Sequence, residues 1–247
     1  MIFGSTKLNI TPVKVSEIPP EGELLQAGRE LIKASQEWKQ TKVFCKGLVQ
    51  GITAPKASDD DEPWFGRVSV HDSTSISFDE LWFGLGTKKP EHESKFVHNI
   101  DGIKLLKQNS DQAEIWNIHY KFSPPISNRT FTVLQVIELD TSSPKRSGLI
   151  VSIPIDTSPD AELHKQEIHG VRGRYVSVER IQELEDGKIE WRMVTSSIPG
   201  GSIPSFVVHT SLPGQIANDV PLFLKWYESD KEYFKQGTSK PESEVQS

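Results

Sequence analysis

Residues 197–226, SIPGGSIPSFVVHTSLPGQIANDVPLFLKW, decide how the rest of this chain reads. They begin at the end of a strand-like run, KIEWRMVTSSI, and turn through two adjacent glycines. They then enter a helical pattern that extends from Ser202 to about Phe234. On a 3.6-residue period Phe206, Thr210, Pro213, Ile216, Val220, Leu224 and Tyr227 fall near one side, so the helix has a face to bury. Pro213 and Pro221 predict a kink or an interruption, because each removes an amide donor and crowds the turn before it.

Upstream of this helix lie strand-like runs with short connections: GIKLLKQ, EIWNIHYKF, RTFTVLQVIEL, GLIVSIPI and GRYVSVERIQEL. Asp186-Gly187 suits a hairpin turn into the last strand. Short connections predict an antiparallel meander rather than βαβ units. One face of such a sheet needs cover, and the C-terminal helix is the element long enough to give it. Alternation puts Trp116, Ile118, Tyr120 and Phe122 on one face of their strand, and Trp191 with Met193 on one face of theirs. Aromatic residues between a curved sheet and a helix line either a packed core or a pocket, and the pattern alone leaves both open.

Residues 1–20, with Pro12, Pro19 and Pro20, read as an extended arm. An amphipathic helix over 21–38 follows, with Leu24, Leu25, Gly28, Leu31, Ile32 and Trp38 near one face. KVFCKGLV reads as one strand containing Cys45, and WFGRVSVHD as another. Ser77 and Glu80 form a capping-box pattern ahead of the short helix FDELWFGL. The polar run KKPEHESKFVHNI is expected to be partly helical. The acids Asp59, Asp60, Asp61 and Glu62 read as a solvated turn, since no glycine-centred ligand spacing accompanies them. The fold class is therefore α+β, as a single domain over 21–236 with a disordered tail at 237–247.

The 247 residues carry a net charge of −6 and a pI near 5.7, which argues against a nucleic-acid partner. A single cysteine permits no internal disulfide and fits a reducing compartment. No spanning segment and no targeting pattern stand out, so a cytoplasmic monomer is expected. No metal site and no cofactor motif are found.

Two motifs give the pattern a family. SPPISNRTFTVLQV resembles the Pro-rich segment of the START lipid-binding domains, with Pro125, Ser127 and Arg129 at matching places. SIPGGSIP resembles the close of their last strand through Gly200, Gly201, Ile203 and Pro204, although Ile198 stands where an Asp is usual. These domains belong to the helix-grip, or Bet v 1-like, superfamily, and the look is that of a fungal START-like branch of unassigned function. The resemblance implies a curved antiparallel sheet wrapped around the C-terminal helix, enclosing a tunnel for a lipid or sterol. It implies lining by Trp116, Ile118, Tyr120, Trp191, Met193, Phe206, Thr210, Ile216 and Val220. It makes the loop of Pro124, Pro125, Ile126, Asn128 and Arg129 a gate at the mouth, with transient membrane contact during ligand transfer. In that loop the prolines fix φ and remove donors, Asn128 is suited to a left-handed turn, and Arg129 can tie the loop back.

No nucleophile elbow, P-loop or zinc motif occurs. Binding without chemical conversion is thus the expected function. The alternative is a cyclase or hydrolase acting on an apolar substrate in the same cavity, with Glu138, His119 and Arg174 as its first suspects.

Overall fold

The computed structural model describes residues 8–55 and 62–239. The run Asp59–Asp61 and most of the expected tail lie outside them. The chain opens with Leu8 and Ile10 buried, then β1 (Val13–Lys14). Within the segment expected to be extended, β1 pairs in parallel with a later strand, Val13 opposite Ile155. Next come α1 (Glu21–Ala34), β2 (Lys39–Phe44), β3 (Val49–Thr53) and β4 (Phe65–Asp72). The run KVFCKGLV is therefore two strands, not one. Cys45, Lys46 and Gly47 all take positive φ between them, so Cys45 belongs to a turn.

Two short helices follow, α2 (Phe78–Leu85) and α3 (Lys89–Phe96). The reciprocal bonds between Ser77 and Glu80 close the expected capping box on α2. The meander then runs β5 (Ile100–Gln108), β6 (Ala113–Tyr120), β7 (Arg129–Asp140) and β8 (Ser147–Asp156). The one-turn helix α4 (Ala161–His164) and β9 (Val171–Arg172) lead into β10 (Arg174–Glu183) and β11 (Lys188–Ile198). The long helix α5 (Ser205–Ser229) is continuous through Pro213 and Pro221 and breaks only at Asp230. Beyond it α6 (Lys231–Ser239) continues past the expected end of the domain.

The strands form one eleven-stranded sheet, in the main order β2-β3-β4-β11-β10-β8-β7-β6-β5. All neighbours on this path are antiparallel, and only the two-residue strands β1 and β9 pair in parallel. Both faces are covered. On the outer face Leu24, Leu31 and Ile32 of α1 pack against Leu134, Leu149, Val151 and Val178. Each such side chain contributes about 1.5–3 kcal/mol by leaving water. Gly28 permits this contact, because a Cβ there would lie 2.6 Å from Val151.

On the inner face Ala217, Val220 and Phe223 of α5 pack with Trp191, Ile150, Ile181 and Ile189 of the sheet. Leu81 and Leu85 of α2, Phe96 of α3 and Phe234 of α6 complete this cluster. Trp191 and Phe96 both meet Phe223 edge-on, with centroids 5.5 and 5.6 Å apart. A smaller inner cluster, Ile100, Trp116, Ile118 and Val133, lies at the β5–β7 end of the same face.

Candidate functional site: a hollow between sheet and helices

Between the two inner clusters the packing opens. Tyr120 of β6, Tyr175 of β10 and Asp219 of α5 are deep in the molecule, yet each is only half-buried. Phe131 of β7 and Met193 of β11 are half-buried on the same face. The surface these residues keep open between α3, α5 and the sheet is the candidate hollow. The ring of Phe131 contacts both tyrosines, with centroids 5.4 Å from Tyr120 and 5.6 Å from Tyr175.

The floor is less apolar than the sequence led one to expect. Strand register aligns Phe65, Thr195, Ser177, Ser152, Gln135 and Glu114 in one row across it. The adjacent row brings Arg67, Met193 and Glu179 together. Around Glu179 stands a closed set of charges. Lys89 Nζ of α3 lies 2.7 Å from Glu93 and 2.9 Å from Glu179. Arg67 Nη2 lies 3.6 Å from Glu179, and Trp191 Nε1 donates to Glu179 Oε2 at 2.9 Å. The Arg67 guanidinium is stacked over the Trp191 ring, 3.9 Å from its centroid, which offsets part of the cost of its unpartnered Nε and Nη1.

These neighbours set the protonation states. Burial alone would raise the Glu179 pKa, but Lys89 and Arg67 outweigh it and hold the carboxyl below its ordinary range. Burial likewise opposes the charge on Lys89, but Glu179 and Glu93 outweigh it and raise its pKa. Burial, helped by Arg67, pushes His71 down to about 4, so it is neutral. Asp219 differs: burial raises it to about 7, and Arg67 and Lys89 counter this only in part against Glu93 and Glu179. Tyr120 and Tyr175 are raised, chiefly by burial, and stay protonated.

The sequence-derived lining residues divide into three groups. Tyr120 and Met193 border the hollow. Trp116, Ile118, Trp191, Ile216 and Val220 are buried, four of them within the clusters that flank it. Phe206 and Thr210 do not line anything: Phe206 is 69% exposed and Thr210 is exposed beside it. The helical period places them on the face of Ile216, but in the first turns of α5 these two positions meet solvent. Phe131, Tyr175, Arg67, Lys89, Glu93, Glu179 and Asp219 were missed. The phase set by Trp191 and Met193 was the one signal available, and only the strand register carries it across to Arg67 and Glu179.

The loop between β6 and β7 leaves Pro124, Pro125, Ile126 and Ser127 exposed, with a cis bond between the prolines. Arg129 is buried and donates to the carbonyls of Ser127, Pro199 (3.4 Å) and Gly200 (3.5 Å). It thereby ties this loop to the turn that launches α5. That turn needs glycine, since Gly200 has φ +69° and a Cβ there would lie 2.1 Å from the Arg172 carbonyl oxygen. Asn128 is not left-handed as expected; its side chain instead accepts from the Phe122 amide at 3.2 Å and closes the loop.

The suspects for catalysis face away from the hollow. Glu138 pairs with Arg29 of α1 on the outer face. His119 bonds Asp101 at 2.5 Å, and Arg174 is exposed. A separate cleft of about 590 Å³ also lies on the outer side, between Arg29 and Ile32 of α1 and Glu138, Leu149 and Arg180 of the sheet. None of the expected lining residues borders it.

Solved structures with this architecture carry lipid-transfer names. Human StAR-related lipid transfer protein 5 superposes with a TM-score of 0.67 at 13% identity, covering 85% of this chain and 97% of that one. Human STARD10 gives 0.66 at 14%, covering 89% and 84%. The lipid transfer and protein localization domain of human StarD13 gives 0.60 at 14%, covering 85% and 98%. At such identities the likeness establishes the START helix-grip fold and no more. No curated protein matches the sequence. Residues 64–227, however, match the family model DUF3074, described as protein of unknown function, and the chain belongs to that family.

Proposed function

We propose that this protein binds one hydrophobic or amphipathic ligand, a lipid or sterol, in the hollow, and transfers it between membranes without altering it. The observation that carries this reading is the open surface on Tyr120, Tyr175, Phe131 and Met193 deep inside the fold. The lipid-transfer names of human proteins with the same fold add support. A tail gains about 0.8 kcal/mol for each CH₂ it removes from water, so such a hollow competes with a bilayer for a long chain. Exchange requires an opening, and the loop at 123–127 with the start of α5 is the proposed gate. Ile126, Phe206 and Val207 are exposed on these two elements and would enter the bilayer surface during docking. With a net charge of −6, docking rests on this apolar contact more than on attraction to anionic lipid. No helix among the described residues is long and apolar enough to cross a membrane, in keeping with a cytoplasmic carrier.

A second reading, a cyclase or hydrolase, is favoured by one group only: Asp219, a deep carboxyl with a pKa near 7 whose charge is felt by the Tyr120 phenol. Two measurements separate the readings. Vesicle-to-vesicle transfer of labelled sterol or phospholipid tests carriage, and mass spectrometry of co-purified ligand after long incubation tests conversion. Transfer with unchanged ligand mass is expected. A changed mass would replace the carrier by the enzyme.

A further inference from the structure

The polar groups around the hollow fall into two sets, and the difference between them bears on the ligand. In the first set each cation already faces an anion. Lys89 holds Glu93 and Glu179, and Glu179 is shared with Arg67 and with the Trp191 indole. Two cations face two anions, and the guanidinium is sealed against the Trp191 ring. An entering anion would meet no open cation, since Lys89 is held by Glu93 and Glu179 and the unpartnered Arg67 Nε and Nη1 have no exposed surface, and an entering ammonium would find no free anion among Glu93 and Glu179. Breaking one of these buried pairs to accept a charge leaves its partner uncompensated in a medium that solvates charge poorly.

The second set is open. Tyr120 and Tyr175 both lean on the Phe131 ring, and with Asp219 they keep surface open toward the hollow. The charges of Glu93 and Asp219 both reach Tyr120, and that of Glu93 reaches Tyr175, so the carboxyls lie on the same side of the sheet as the phenols. They come from three elements, β6, β10 and α5, so a ligand reaching them lies within the grip and not at its rim. The phenols are uncharged, and the preference of Asp219 for its neutral form up to about pH 7 agrees with that character.

We infer that the hollow selects an uncharged amphiphile, one whose hydroxyl or ester oxygen is held by Tyr120, Tyr175 and Asp219 while its apolar part lies along Phe131 and Met193. This rests on the ligand-binding reading above and narrows it. Fatty-acid carboxylates and phospholipid head groups are selected against, because each brings a charge that the closed ion set does not receive.

The test uses the full chain and an apolar fluorescent probe that reports occupancy of the hollow. Monooleoylglycerol, oleate and oleoyl-lysophosphatidylcholine carry the same tail with an uncharged, an anionic and a zwitterionic head. At pH 6.5, where Asp219 is mostly neutral and oleate is ionised, monooleoylglycerol should displace the probe at about a tenfold lower concentration than either charged-head competitor. The double variant Tyr120→Phe/Tyr175→Phe should still bind the probe and lose that preference. Oleate or the lysophospholipid competing as well as monooleoylglycerol would overturn the inference, as would a double variant that keeps the wild-type ranking. If that variant does not fold, the ranking on the unmodified protein decides alone. A probe that does not bind at all would instead remove the ligand-binding reading beneath it.

Discussion

Asp219 is the residue on which the chemistry of the interior turns. Its folded pKa of about 7 lies above the ordinary 3.8, with burial as the main cause. Below pH 3.8 the folded and unfolded chains both hold the proton, and Asp219 has no effect on stability. As the pH rises toward 7 the unfolded chain releases it while the folded chain keeps it, so stability falls, and above 7 the full cost remains. That cost is on the order of a few kcal/mol at most, reduced by the surface the carboxyl keeps open. Asp219→Asn should therefore raise the melting temperature at pH 8, by about 2–4 °C per kcal/mol for a chain of this size. The gain should shrink toward pH 4, and thermal scans across that range check it. Glu179 has the opposite sign. Glu179→Gln strips Lys89 and Arg67 of a buried partner and should cost about 3–5 kcal/mol in denaturant unfolding. These two residues also show where the sequence was silent. Alternation tells which residues of a strand share a face, but not what faces them from another strand. Glu179 meets Arg67 only through Met193 of β11, a pairing that no local pattern encodes.

At the scale of elements, α5 is two helices in one. From Ile216 to Tyr227 it buries Ala217, Val220 and Phe223 completely. From Ser205 to Gly214 it shows Phe206, Val207 and Thr210 to solvent, held on one side by His209 Nε2, 2.9 Å from Glu62. Hydrogen exchange should follow this division, with amides at 206–214 exchanging well before those at 216–227. Uniform protection along α5 would argue against its start serving as part of a gate. Phe206→Ser with Val207→Ser should change stability by less than about 0.5 kcal/mol for each site and slow vesicle transfer several-fold. The periodicity that revealed α5 in the sequence is the same along its length, which is why Phe206 and Ile216 looked equivalent. Their difference lies in what packs against each turn, which periodicity does not encode. The capping box of α2 and the hairpin at Asp186-Gly187 were legible because local bonds define them. The parallel pairings of β1 and β9 were not, since two residues leave no periodic trace.

For the whole molecule, the sheet separates stability from binding. Its outer face carries an apolar core, with Leu24, Leu31 and Ile32 locked onto Leu149, Val151 and Val178 beside the cleft at Arg29 and Glu138. Its inner face holds clusters that flank an open, partly polar hollow. Covering both faces also explains why the sequence did not say which side was the inside: large apolar residues occur at both phases of the strands, so alternation lost its contrast. The order of strands and the closing helix were still readable, because the meander and the long amphipathic pattern survive that loss. A sheet with its main apolar core on one face and the hollow on the other should respond to damage on the two sides differently. Leu31→Ala removes a side chain that is 1% exposed and should cost about 2–5 kcal/mol. It touches nothing in the hollow, so a bound ligand should raise the melting temperature of this variant by the same increment as in the unmodified chain. Ala217→Leu on the inner face should do the reverse. It crowds the contact of α5 with the floor, lowers stability by about 1–3 kcal/mol, and reduces the ligand-dependent increment by narrowing the space beneath Asp219. Melting curves with and without monooleoylglycerol, on both variants, measure the separation. Equal loss of the ligand increment in the two would mean that the faces are coupled through the sheet.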